Sequence, residues 1–191
     1  MNPEPCPAAL KEWGATVEAL RQGRQIILLR KGGLHDAGGV FALEHRRFWL
    51  LPNAFHQAKP MLKSEHEDLL SAPVSSRSEL KLQVLAEVGA SWSVDESQFE
   101  ALAQGRHIWN EDYLSLRFGY KSEHLLGVVA LRVYEVPSVH LVPGRSQYFG
   151  CRSWIELDEA LSTKGARAVL SEEEWLNQLG EWSKRLGEGA S

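Results

Sequence analysis

Leu80, Leu82, Val84, Ala86 and Val88 occupy every second position over nine residues. A period of two suits a strand with one covered face and does not suit a helix, so the middle of the chain is committed to sheet. The flanking sequence adds strands more often than helices. Gln25 to Arg30 is short, apolar and β-branched, as a buried strand requires. Residues 40–43 and 48–51 read as two further short strands, the second closed by Pro52. Residues 125–136 form a long apolar run ended by Pro137, which fits a central strand. Residues 154–157 and 168–170 supply two more short strands.

Helix signals sit mainly at the two ends. Leu10, Trp13, Val17 and Leu20 have helical spacing, with Gly23 placed to end the helix. Residues 53–78 are irregular, with a short helix expected over 64–70 from Ser64 and Glu67. Asp95 with Gln98 forms a capping box that opens a helix through Ala103, with Gly105 behind it. Residues 109–118 fit a helix better than a strand. Ser171 and Glu174 form the clearest capping box, opening a helix with Trp175, Leu176, Leu179, Trp182 and Leu186 along one face. Successive strands without intervening helices favour antiparallel pairing. The expected class is α+β: a mixed, mostly antiparallel sheet, open or curled into a partial barrel, with N-terminal and C-terminal helices packed on it.

At 191 residues the chain suits one domain, 1–191, with residues 1–7 disordered and 71–78 an exposed loop. A hydrophobic content of 43% is enough for a sizeable core. The net charge of −4 gives no global attraction to nucleic acid, so any such site must be a local basic patch. No apolar run reaches the length of about 18 residues that a membrane span needs, and no secretion signal opens the chain. The two cysteines, Cys6 and Cys151, read as free thiols in a reducing compartment, hence a cytoplasmic protein. No cofactor is implied.

Five constellations could carry chemistry. Arg30, Lys31, Gly32 and Gly33 end the buried strand; two glycines expose backbone N–H groups beside two cations, a setting for phosphate or carboxylate. The competing reading is a cationic hairpin. Glu44 with His45, with His35 upstream and His56 and Gln57 downstream, offers acid–base groups, but no metal-binding spacing occurs. Glu79 and Lys81, with Asp68 upstream, share the carboxylate and lysine pattern of metal-dependent nucleases, a short pattern that also fits the wet face of any strand. Arg117, Tyr120, Lys121, Arg132, Arg145 and Arg152 are interleaved with Trp109, Tyr113, Phe118, Tyr134, Tyr148, Phe149 and Trp154, the mixture that nucleic-acid surfaces use. Arg132 lies inside an apolar strand, so it either faces open solvent or pairs with Glu111, Asp112 or Glu135. Cys151 beside Arg152 could be an activated thiol if His107 or His140 came near, or a buried inert cysteine.

The stretches 27–33, 48–52 with His56 and Gln57, 107–109, 131–134 and 150–154 together resemble an uncharacterised bacterial family, domain of unknown function 1802. The resemblance runs from about Leu10 to Leu157. It implies no catalytic residue. The occurrence of some members beside a restriction-endonuclease-like domain implies a link to DNA restriction or processing.

Three functions follow as expectations. One is a nucleic-acid-associated binding module that holds a nucleic acid or other phosphate-bearing ligand through Arg30, Lys31, Gly32, Gly33, Arg132, Arg152 and Trp154. Another is a small hydrolase or nuclease using Glu44, His45 and His56. The last is a structural or dimerising domain, a homodimer joined through an exposed Trp175–Trp182 stripe.

Overall fold

A computed structural model describes residues 4–30, 44–53, 61–119, 125–149 and 152–189. Among the described residues seven strands form one sheet: β1 (Cys6–Trp13), β2 (Ile27–Arg30), β3 (Arg47–Asn53), β4 (Glu79–Val94), β5 (Leu126–Pro143), β6 (Trp154–Leu161) and β7 (Arg167–Ala168). Their order is β2-β5-β4-β3-β1-β6, with β7 added on β5. All the pairings are antiparallel except β1 with β3. The same residues hold the α-helices α1 (Gly14–Arg21), α2 (Phe99–Ala103), α3 (Glu111–Gly119) and α4 (Glu172–Leu186). The class is α+β, as the succession of strands indicated. Among the described residues the sheet does not close into a barrel.

The backbone of the fold is the antiparallel β4–β5 pair, matched from Glu79↔Pro143 to Val94↔Leu126. Alternation places Leu80, Leu82, Val84 and Ala86 in the core. The same alternation sorts β5 and β2 between two apolar layers. Val129, Leu131, Val133 and Leu28 join the layer that holds β1 and β3. Val128, Ala130, Ile27 and Leu29 join the layer under α3 and α4.

Several boundaries differ from expectation for identifiable reasons. Leu10 and Trp13 belong to β1, not to the first helix: Leu10 pairs with Leu50 on one side and Trp154 on the other. The helix starts at Gly14, and Gly23 does end it, at φ +66°. Cys6 and Pro7 are strand residues, so the expected disorder of residues 1–7 does not extend to them; Cys6 is buried, with Trp49 Nε1 donating to its carbonyl at 3.0 Å. The 64–70 segment is a 3-10 helix, Ser64–Ser71, entered at Lys63 without the expected side-chain cap. β5 runs past Pro137 because the pairing jumps from Val84↔Glu135 to Leu82↔His140, and the proline falls in that irregularity, where no ladder N–H is required. Residues 72–78 carry neither helix nor strand, and Ser75 N–H is tied to the Pro52 carbonyl at 2.9 Å.

The Trp175–Trp182 stripe is covered rather than exposed. Trp182 is buried, and Trp175 donates its Nε1–H to the Leu131 carbonyl at 3.0 Å. Leu176, counted on that face, points away and is exposed. The observation that would have marked a homodimer through this stripe is therefore missing. No helix among the described residues is long and apolar enough to cross a membrane.

Candidate functional site

The site grows from the junction where β1 runs into α1. Strand β1 ends Lys11-Glu12-Trp13 and the helix begins at Gly14, so the Glu12 carboxylate sits at the turn, where its Oε1 accepts the Trp13 N–H at 2.8 Å. Arg30, the last residue of β2, reaches this turn from a strand elsewhere in the sheet. Its Nη1 meets Glu12 Oε2 at 3.4 Å and its Nη2 meets the Lys11 carbonyl at 3.5 Å. Both partners are recessed, the Arg30 side chain 16% exposed and that of Glu12 10%.

Helix α3 brings a second cation. Arg117 lies over the Tyr113 ring at 5.9 Å and approaches the Leu29 carbonyl at 3.5 Å. Tyr113 packs against Trp13, ring centres 4.9 Å apart, and stacks on Trp109 at 5.5 Å. The result is an aromatic rack of Trp13, Tyr113 and Trp109 with two guanidinium groups beside it.

Charge and hydrogen bonding in this cluster are unbalanced. Arg30 is paired with the Glu12 carboxylate and feels the Arg117 charge, while the contacts of Arg117 are the Leu29 carbonyl and the Tyr113 ring. Burial pulls the Arg30 guanidinium below its ordinary value; Glu12 opposes the fall and the Arg117 charge adds to it. Burial also pushes the Tyr113 hydroxyl up, so it stays neutral. Buried donors are normally satisfied, because an unmet one forfeits its hydration without return. Among the described residues Arg117 Nε and Trp109 Nε1 are both buried without a partner. The cluster is rich in donors and poor in acceptors, the arrangement a bound oxyanion would complete.

The other candidates scatter. Lys31, Gly32 and Gly33 follow Arg30 but lie outside the described residues, as do His35, His56, Gln57, residues 40–43, Tyr120, Lys121 and Cys151. Arg132 is not part of the Arg30 cluster: it stands five positions along β5 from Gly127, the register partner of Arg30. It is paired, but with none of the three carboxylates expected. Its Nη2 meets Glu172 at 3.1 Å, its Nη1 donates to the Ser171 carbonyl, and its guanidinium covers the Trp175 ring at 5.5 Å. Glu172 opens α4, which tertiary packing brings over β5. Arg152 is exposed before β6, at the far edge of the sheet. Trp154 is a packing residue, edge-on to Phe48 at 4.9 Å and to His45 at 5.1 Å.

Hydrolytic chemistry gains no geometry. His45 contacts Trp154, Glu44 is exposed, and Asp68 is held by Arg24 through bonds of 2.6 and 2.9 Å. Among the described residues no three His, Cys, Asp or Glu side chains are grouped to hold a metal. His107 and His140 are engaged structurally, their Nε2 atoms bonded to the Leu102 and Ser162 carbonyls at 2.9 and 2.8 Å.

Sequence reasoning put Arg30, Arg117, Tyr113 and Trp109 among its candidates and missed Glu12. The signal for Glu12 was a carboxylate between the apolar Leu10 and Trp13, next to a strand-to-helix junction read as helix.

Residues 9–181 match the family model described as a domain of unknown function, DUF1802. No curated protein matches the chain. Three solved structures of the ASCH protein of Zymomonas mobilis resemble it. The protein itself superposes with TM-score 0.40 at 12% identity over 91% of this chain and 92% of that one. Two point variants give 0.41 at 13% identity and 0.44 at 12%, over 93% and 91% of this chain and 98% and 96% of theirs.

Proposed function

The chain belongs to the DUF1802 family, whose description assigns no activity, and we propose from its own surface chemistry that it is a nucleic-acid-associated binding module. The anchor is the cluster of Arg30, Arg117, Trp13 and Tyr113. One observation carries this reading: Arg30 is paired with the Glu12 carboxylate, the Arg117 charge acts on Arg30, and Arg117 Nε is buried without a partner among the described residues. Such a site favours an oxyanion, and phosphate is the oxyanion that a cation beside aromatic rings selects in nucleic acids. Lys31, Gly32 and Gly33, next in the chain, would extend the same anion site. Arg132 and Arg152 lie apart from it and would at most add peripheral contacts.

Fluorescence anisotropy of the full chain with labelled single-stranded and duplex oligonucleotides tests the proposal. Affinity should fall steeply between about 50 and 200 mM salt, and Arg117→Gln should lower the slope of log affinity against log salt by about one. Absence of binding to every oligonucleotide at low salt would remove the reading. An unchanged salt slope in Arg117→Gln would move the anchor elsewhere.

A further inference from the structure

The sheet is broken at one place, and side chains bridge the break. Strand β6 ends the sheet beyond β1, and residues 162–166 then carry the chain back to β7 on β5. The far ends of β5 and β6 are brought together, yet among the described residues no ladder joins them. Each strand is irregular there. The register of β5 against β4 jumps between Glu135 and His140, and that of β6 against β1 jumps between Glu156 and Leu161. Two bulged edges do not match each other's N–H and C=O spacing. The segment after β5 crosses the gap. Gly144 donates its N–H to the Ser78 carbonyl at 2.8 Å, and a 3-10 helix, Ser146–Phe149, follows. Asp158 of β6 meets this segment three times. Its Oδ2 lies 2.7 Å from Arg145 Nε, its Oδ1 accepts from Gln147 Nε2 at 3.1 Å, and its N–H is donated to the Tyr148 hydroxyl at 3.2 Å. The bond from His140 Nε2 to the Ser162 carbonyl, at 2.8 Å, adds another crossing beside it.

We propose that residues 145–149 form a strap over this seam, that Asp158 is its latch, and that strap and latch open as one unit while the rest of the sheet stays folded. Segments that open first have few buried side chains and hydrogen bonds exposed to water. The strap has both properties. Arg145, Ser146 and Gln147 are exposed, and Tyr148 alone is fully buried, in the layer that holds β1 and β3. The latch pair is wet, the Arg145 side chain 59% exposed and that of Asp158 36%. The β4–β5 pair, by contrast, is laddered from Glu79 to Val94. Opening draws Tyr148 out of its layer and bares the ends of β5 and β6. This device is independent of the binding reading above, whose residues it does not use.

Native-state amide exchange of the full chain, read by NMR over urea concentrations below the unfolding transition, tests the proposal. Two amides report on the unit: Tyr148 N–H, bonded to the Arg145 carbonyl at 2.9 Å, and Asp158 N–H. Leu131 N–H, bonded to the Ile26 carbonyl at 2.7 Å, reports on the rest of the sheet. In the wild type the first two should share one opening equilibrium that urea barely changes, because little surface is exposed. Leu131 should show the full urea dependence of global unfolding. Asp158→Ala removes both carboxylate contacts and leaves the reporter bonds in place. It should speed exchange at Tyr148 and at position 158 by the same factor, at least about tenfold, since two bonds to a charged group are lost. Ser171→Ala, which loosens α4, should speed Leu131 and leave Tyr148 unchanged. One urea dependence shared by all three amides in the wild type overturns the proposal, and that comparison needs no variant. Faster exchange at position 158 without Tyr148 also overturns it, as does Tyr148 following Leu131 in Ser171→Ala.

Discussion

Lowering the pH should unfold this protein through one imidazole, His107. The residue is 2% exposed and locked in one tautomer by its neighbours: Nε2 donates to the Leu102 carbonyl at 2.9 Å, and Nδ1 accepts the Trp109 N–H at 3.2 Å. A second proton would have to replace that accepted bond. Burial first, then the positive charge of Lys63, lowers its pKa from 6.5 to about 4. In the unfolded chain the ring takes its proton near its ordinary value, so the unfolded state binds it first as pH falls. The stability due to keeping His107 neutral is complete above about pH 6.5 and drains away until the folded form also protonates near pH 4. A gap of that size corresponds to about 3 kcal/mol in full, of which about 2 kcal/mol is gone by pH 5. That is a large part of a typical domain's margin. Urea unfolding followed by tryptophan fluorescence suits the measurement, because Trp109 and Trp182 lie against the ring at 5.5 and 6.3 Å. His107→Gln, which does not titrate, is the control and should show a flat profile over the same window. Carboxylates held below their usual range, such as Glu18 bonded to Arg21, lose their contribution only at more acid pH. A wild-type profile parallel to that of His107→Gln, or an NMR titration of His107 centred near its ordinary value, would refute the argument.

Two glycines should respond to alanine with opposite signs. At Gly105 a Cβ would run into the Trp182 ring, itself buried in the core, so Gly105→Ala should cost about 1–3 kcal/mol in urea unfolding. At Gly180, inside α4, a Cβ meets nothing within 4 Å, and Gly180→Ala should gain about 0.5–1 kcal/mol by helix propensity. Ser171→Ala removes the oxygen that accepts the Glu174 N–H at 3.2 Å and should lower stability by about 1 kcal/mol, measured by the same unfolding curve.

The sequence revealed what local chemistry decides. The Ser171 and Asp95 caps form with both halves of each box in place, and the alternation at Leu80 to Ala86 is a strand with those residues inside. Contacts made across the chain were not legible. Leu10 and Trp13 fit a helical period by coincidence of spacing, and only pairing with β3 and β6 makes them strand residues. Pro137 reads as a strand end until the jump in β4–β5 register supplies a place where it need not donate. The candidate site divides the same way. Arg30 was marked by its place at the end of a buried strand. Its partnership with Glu12 and Arg117 joins β1, β2 and α3, and no local spacing encodes it. Arg132 shows the converse: a buried cation demanded a carboxylate, and packing chose Glu172, forty positions away.

The placement of β1 has a consequence for how the protein is made. Strand β1, made before the other described strands, lies between β3, which it joins in parallel, and β6, which it meets through Ala8, Ala9 and Leu10 opposite Glu156, Ile155 and Trp154. Until the last third of the chain has been synthesised, one edge of β1 has no partner, and that edge belongs to an apolar strand with Cys6, Ala8, Ala9 and Leu10 all destined for the core. A bare apolar edge is a template for pairing with another copy. The nascent chain's exposure to self-association is thus timed by the interval between β1 and β6, and β6, which carries the exposed acidic residues Glu156, Asp158 and Glu159, ends that interval by covering the apolar strand.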